Sequence, residues 1–401
     1  MSLLVPATPD EVAASVAEAA QLRTPLSISG LGSKAQLGAP WNAARRLDLS
    51  ALKGVTMYEP EELVVSALAA TPIEDIEAML AAKGQELAFE PMSFGALYGT
   101  GPGSLGGCLM ANVSGPRRIK AGAARDHVLG VKGVNGRGEA FKAGGTVVKN
   151  VTGYDLSRGL AGSFGTLAVV TELTFKVLPR AETTATLALA GLAPKRAVEA
   201  LCLAMGAPVD VSGAAHLPSF AANALGFAGP VTLLRLEGFA PSVDERFHRL
   251  GLSLKPFAKA ERLDGAASIA LWRAIRDVAP LAEPRDKIIW KISVAPTAGP
   301  PVAATIGKVY PSEALFDWSG GLVWLALTPD CGPDSGAELI RGAIAVHGGG
   351  HATLVRAPAE VRAATRVFQP QPPALKALSQ RLKAEFDPFG ILEPGRMQAE
   401  V

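Results

Sequence analysis

The chain has 401 residues, of which 48% are hydrophobic and 19% charged, with a formal net charge of +2. That composition suits two or three globular domains with a large core and excludes a disordered chain. No Lys/Arg cluster marks a nucleic-acid surface, and no apolar run approaches the ~20 residues of a membrane helix. Cys108, Cys202 and Cys331 are far apart with no C-x-x-C pair, so there is no disulfide framework and no iron–sulfur or zinc-cysteine signature. The start, MSLLVPATPDEV, lacks the basic and apolar regions of a secretory leader, and the reading is cytoplasmic.

The first 90 residues read as α/β. Thr8-Pro9-Asp10-Glu11 is a capping box with Pro at the first helical position, and Val12, Val16 and Ala20 follow at helical spacing. PLSIS (25–29) is a strand that ends in the loop Ser29-Gly30-Leu31-Gly32-Ser33-Lys34. ELVVSALAA (62–70) is a buried strand. Thr71-Pro72-Ile73-Glu74 opens a second helix with the same capping grammar, and Gly84 closes it. From 91 to 126 regular patterning stops in a long Gly-rich segment, too apolar for disorder and therefore a functional loop. Asn135-Gly136 predicts a hairpin between two extended runs. GTLAVVTELTFKVLP (165–179) is a long strand stopped by Pro179. Residues 181–370 read as a separate α+β domain, QPQPP (369–373) as a linker, and 374–386 as a helix before the tail FDPFGILEPGRM.

Several motifs carry chemistry. The glycines at 30 and 32 allow backbone N–H groups to converge on an anion, with Ser33 and Lys34 adding a hydroxyl and a charge, so a diphosphate fits; a plain Gly-rich turn with an exposed Lys is the simpler alternative. Gly101-Pro102-Gly103-Ser104-Leu105-Gly106 matches the dinucleotide fingerprint, but no strand precedes it; its glycines read as a loop against a ligand. Ser104 to Gly107 and Ala111 to Gly115 are small enough to pass close to a flat ring, whose polar edge Asn112 and Ser114 can bond; a tightly packed turn needs the same residues. Asn150-Val151-Thr152 is a sequon by chance, without a secretion signal. His347 and His351 are separated by three glycines, which argues against a helical metal pair, and no metal is expected.

The order and spacing of GSLGGCLMANVSGPRR (103–118), GAARDHVLGVKGVNGRGEAFKAGG (122–145), KNVTGYDLSRGLAGSFGTLAVVTEL (149–173) and the tail, together with the loop at 29–34, resemble the vanillyl-alcohol oxidase (PCMH-type) FAD-binding flavoproteins. Within them the chain looks most like the FAD-binding E subunits of bacterial glycolate oxidases, with GGHATLVR (349–356) and the tail supporting that match. The resemblance implies an α+β fold: a PCMH-type domain of two α/β subdomains (1–180) holding FAD between them, an α+β cap (181–370), and a C-terminal segment (371–401) that returns to the first domain. By motif match, Ser29, Gly30, Leu31, Gly32, Ser33 and Lys34 hold the pyrophosphate. Pro91, Thr100, Gly101, Gly103, Ser104, Gly106, Gly107, Ala111, Asn112, Ser114 and Gly115 line the ribityl and ring region, with Pro116, Arg117, Arg118 and Arg396 beside it. Gly165, Val169 and Val170 meet the adenine side.

Three departures shape the expected function. The pyrophosphate loop lacks the His that links flavin covalently in some relatives, so FAD is expected to be noncovalent. No H-x-H occurs, the motif with which hydroxy-acid dehydrogenases of this group bind substrate through metal. The tail reads Glu393-Pro394-Gly395 where N-P-G is common, placing a carboxylate where it disfavours an anionic reduced flavin. The candidate cations Arg117, Arg118, Lys149 and Arg396 have phosphates, partners or solvent as equal explanations. The implied protein is an FAD subunit of a heteromeric glycolate (2-hydroxy-acid) oxidase or dehydrogenase. Its expected partners are a homologous FAD-containing catalytic subunit and an iron–sulfur subunit, with membrane association only peripheral and through them. The alternatives are a self-sufficient FAD oxidoreductase and an FAD-free structural subunit.

Overall fold

A computed structural model describes residues 2–41, 43–147 and 154–397. Lys149 and the sequon at Asn150 lie outside these residues. Thr8 caps the first helix, Pro9–Gln21, by accepting from Glu11 N at 3.2 Å. The helix buries Val12, Val16 and Ala20, as the spacing requires. It packs beside a small parallel sheet, Ser2–Leu4, Arg45–Asp48 and Leu26–Ser29. The tail extends that sheet: Leu392 bridges Leu26 in parallel, Leu26 N donates to Ile391 O at 2.7 Å, and Glu393 N donates to Leu26 O at 3.0 Å.

The second sheet is antiparallel, in the order Val55–Glu59, Val64–Leu68, Ala168–Lys176, Val128–Asn135, Ala140–Gly144. The hairpin at Asn135 closes with Asn135 N donating to Glu139 O. Its left-handed residue is Gly138 (φ 83°), not Gly136. Gly136 is required for another reason: a Cβ there would lie 2.3 Å from Asp387 Oδ1. The helix Ile73–Ala81 lacks the predicted side-chain cap. Pro72 occupies the N-cap, and the Thr71 hydroxyl instead bonds Leu68 O at 2.7 Å. Gly84 (φ 65°) follows that helix in the left-handed region.

The segment 91–126 is not one loop but a chain of short helices, Gly95–Tyr98, Leu105–Met110, Arg118–Ala121 and Ala124–His127. Its glycines hide them from propensity because several are needed for close approach: a Cβ at Gly106 would meet Ala69 O at 2.8 Å.

Strands within 183–356 form one antiparallel eight-stranded sheet: Ala260–Asp264, Thr183–Ala190, Val231–Gly238, Gly213–Leu217, Ser312–Asp317, Leu322–Leu327, Ile288–Val294, Gly350–Arg356. One of its faces shares a core with the N-terminal half, where Phe89, Leu105 and Phe175 meet Trp272, Trp324 and Val355. The other is covered by helices, including Gly299–Gly307 and Ala337–Val346. Among the described residues no helix is long and apolar enough to cross a membrane.

The helix Pro373–Phe386 is anchored at its C-terminal end. Lys383 Nζ donates to Thr166 O (2.6 Å), Leu392 O (3.0 Å) and Asp387 Oδ2 (2.8 Å), and Asp387 also accepts from Ile391 N and Leu392 N. Both side chains are buried. Removing one member of such a pair strands the other. Asp387→Ala is therefore expected to lower stability by about 3 kcal/mol or more, read as a shifted midpoint in urea unfolding; an unchanged midpoint would show that this anchor contributes nothing.

Candidate functional site: a long cavity beside the Gly-rich loop

A cavity of about 600 Å³ opens where the strand Leu26–Ser29 runs into the loop at 30–34. The loop residues Ser29, Gly30, Leu31, Gly32, Ser33 and Lys34 form one wall, Ser104, Gly106, Gly107 and Ala111 a second, and Gly165, Ala168 and Val170 a third. The loop can turn because Gly32 is left-handed (φ 74°). It is held to the Gly-rich segment because a Cβ on Gly30 would lie 2.9 Å from Ser104 Oγ. Ser104 in turn caps Leu105–Met110, accepting from Gly107 N at 3.2 Å.

Two cations in the wall are incompletely partnered. Among the described residues Lys34 has only the Ser33 hydroxyl at 3.5 Å and the Phe94 ring at 5.8 Å; burial lowers its pKa, with the Cys108 thiol as a minor opposing influence. Arg396 gives Nη2 to Lys34 O at 3.0 Å and Nη1 to Glu393, while its Nε is buried without a partner. These are the groups that an anionic ligand satisfies. No histidine or cysteine lines this cavity, and nearby Cys108 is no nucleophile, since burial pushes its pKa up to about 12.

Glu393 does not face the cavity. It is 1% exposed and accepts from Ile28 N (2.6 Å) and Trp41 Nε1 (2.8 Å), with Arg396 at 3.5 Å. Its charge is held by these donors directly behind the wall that Ile28, Trp41 and Arg396 form.

The other predicted residues lie elsewhere. Pro91, Gly103 and Arg117 line a second cavity of about 360 Å³, which Lys34 shares. Arg117 is locked there to Glu86 (2.9 Å) and Glu237 (2.8 Å). Thr100 bonds Ser33 O from behind the loop, and Gly101 is exposed. Asn112 Oδ1 accepts from Arg125 N and Ser114 Oγ from Ala124 N. Gly115 fits between Glu90 and Arg276, beside buried Pro116, and Arg118 lies over Trp318. Val169 turns away into the core under the first helix while Val170 faces the cavity, the alternation of a strand. Sequence reasoning missed Trp41, Arg46, Met110, Phe164 and Arg362 in the cavity wall. Met110 and Phe164 lie inside recognised segments, and Trp41 and Arg46 follow the 29–34 loop. Arg362 reaches in from the helix Ala359–Ala364, where nothing in its neighbours signals it. His347 and His351 are not joined: the first follows a helix and bonds Thr305, the second lies on a strand.

The FAD binding domain family model matches residues 2–144. The chain is 34% identical over 379 residues to glycolate oxidase subunit GlcE of Escherichia coli K12, covering 94% of each. Glycolate oxidase subunit GlcD of Bacillus subtilis is 35% identical over 153 residues, 37% of this chain and 30% of that one. The fold is similar to p-cresol methylhydroxylase (TM-score 0.75, 14% identity, 98% of this chain and 88% of that one) and to 4-ethylphenol oxidase from Gulosibacter chungangensis (TM-score 0.74, 13% identity, 99% and 88%).

Gly107 contributes to the cavity wall with Ser104 Oγ 3.2 Å and Lys34 Nζ 3.6 Å from its would-be Cβ. Gly107→Leu places a branched side chain in that wall, whereas Lys34→Ala removes one charge among several donors. The first is expected to lose more bound flavin than the second, by absorbance of the purified folded variants; equal occupancy counts against this placement.

Proposed function

Because this chain belongs to the family of glycolate oxidase subunit GlcE, we propose that it is the FAD-binding subunit of a glycolate (2-hydroxy-acid) oxidase, holding the cofactor in the 600 Å³ cavity. The carrying observation is that cavity's donor set: a Gly-rich loop, half-buried Lys34 with no carboxylate partner among the described residues, and Arg396 with an orphaned Nε. When bound, FAD supplies a hydride- and electron-accepting ring. The chain's own part is to bind, orient and exclude water. The loop at 30–34, with Lys34 and Arg396, would take the diphosphate. Ser104, Gly107, Met110 and Phe164 would flank the rest, and Gly165 and Val170 the far end. Glu393 would hold loop and tail in register through Ile28 and Trp41.

The cavity's lack of His and Cys supports noncovalent binding. Acid precipitation is expected to release yellow flavin into the supernatant; flavin left in the pellet refutes this.

The division of labour is also part of the reading. Hydride loss from a 2-hydroxy acid needs a cation or metal at the carboxylate and a base at the hydroxyl. No H-x-H occurs in the chain, and no group of three His, Cys, Asp or Glu suited to a metal occurs among the described residues. A homologous flavin subunit of the GlcD kind would carry turnover, and an iron–sulfur subunit would accept the electrons, with any membrane contact made through these partners. The isolated chain is expected to keep its flavin oxidised when glycolate or lactate is added anaerobically, and to turn over only with partners co-expressed. Bleaching of the flavin band within the mixing time would make it a self-sufficient oxidoreductase instead.

A further inference from the structure

The chain holds a single Asn-Gly pair, Asn135-Gly136. Such a pair is chemically unstable. Glycine has no side chain to shield its backbone nitrogen, and that nitrogen can attack the carboxamide carbon of the asparagine before it. In the fold the electrophile of this reaction is already activated. Asn135 ends the strand Val128–Asn135 and pairs with Ala168. Its Oδ1 accepts from Arg137 N at 2.9 Å and from Glu139 N at 3.1 Å. Two backbone donors on one carbonyl oxygen polarise its carbon and match the negative charge that forms there on attack. The leaving group, Nδ2, donates to Glu139 Oε2 at 2.8 Å.

The nucleophile is withheld. Gly136 N donates to Phe386 O at 2.8 Å, so its proton is engaged. Gly136 itself is buried, with Asp387 packed directly on it. Phe386 and Asp387 belong to the returning C-terminal segment, so the mask comes from residues remote in sequence. That segment is tethered here by Arg137 Nη1 donating to Glu385 O at 2.7 Å, by the Phe141 and Phe386 rings with centres 6.1 Å apart, and by the Lys383–Asp387 anchor.

We propose that Asn135-Gly136 is a latent self-modification site, masked by the docked C-terminal segment and opened when Phe386 and Asp387 lift away. In the step, the Gly136 nitrogen bonds to Asn135 Cγ and the Cγ–Nδ2 bond breaks. Nδ2 leaves as ammonia, taking the equivalent of the proton that Gly136 gives up. Water then opens the cyclic imide to aspartate or isoaspartate, and nothing is oxidised or reduced. The amide does not return: a carboxylate at position 135 faces the Glu139 carboxylate, and isoaspartate adds a carbon to the strand backbone. The rate follows the population of chains whose tail has locally opened, so the product is a one-way record of tail release. The site stands independently of the FAD assignment.

The test incubates the purified full chain, folded, at mildly alkaline pH, and follows the peptide that carries residue 135 by digestion and mass spectrometry. Labelling by isoaspartate methyltransferase is the second readout, and the same chain unfolded in urea gives the unmasked rate. The folded wild type is expected to convert at least about tenfold more slowly than the unfolded chain, the factor that one masking hydrogen bond supplies. Arg137→Ala removes an exposed tether and leaves the Arg137 backbone N–H in place; Asp387→Ala removes the anchor. Both are expected to convert faster than the wild type, the second more than the first, with circular dichroism showing each to be folded. If Asp387→Ala does not fold, Arg137→Ala decides. Conversion of the folded wild type as fast as the unfolded chain, or no acceleration in any folded variant, overturns the proposal.

Discussion

The fold turns on a buried ionic knot between its two halves. Arg117, at the head of a short helix in the Gly-rich segment, bonds Glu86 and Glu237. Arg235, on the cap strand Val231–Gly238, holds Glu90 through Nη1 at 2.7 Å and Nη2 at 3.0 Å; Glu90 returns to Arg117 N at 2.7 Å. Burial alone would raise Glu237, but Arg235 and Arg117 outweigh it and hold the carboxyl down at about 2. Each charge is tolerable in the interior only while its partners stay in place. Sheet and Gly-rich segment therefore cannot separate without stranding charge, and that segment is fixed as the wall shared by both cavities.

This knot also explains how far the sequence could be read. Local signals are strong: the Thr8 cap, the apolar runs at 62–70 and 165–179, and the glycines of the 30–34 loop each match an element formed by near neighbours. Arg117 and Arg118 show the limit. They are adjacent, and both were assigned to the cofactor from one motif, yet Arg117 enters the knot and Arg118 leans on Trp318. Arg117 meets Glu86 and Glu90 about thirty residues before it and Glu237 far beyond it, Arg118 meets Trp318 two hundred residues on, and nothing local distinguishes them.

The glycines teach the same lesson. Within 91–126 they read as one long functional loop because glycine disfavours helices. In the fold Gly106 and Gly115 let backbone or side chain approach within contact distance, and short helices form around them. Val169 and Val170 were paired by motif, but pleating sends them to opposite faces. The family likeness located the neighbourhood of the cavity; side-chain direction, decided by long-range packing, separated residues that line it from residues that brace it. Arg362 lay beyond both kinds of signal, because it is held by the carbonyls of Gln36 and Gly38 from over three hundred residues away.

The return of the tail has a consequence for how the protein is made. A ribosome delivers the strand Leu26–Ser29 and its loop long before residues 391–396. Until those arrive, Leu26 N and Ile28 N lack Ile391 O and Glu393, and Arg396 is missing from the cavity wall. The N-terminal elements can fold as they emerge, but the cavity stays open on one side throughout elongation. The wall proposed to hold FAD is therefore complete only in a chain whose synthesis has passed residue 396.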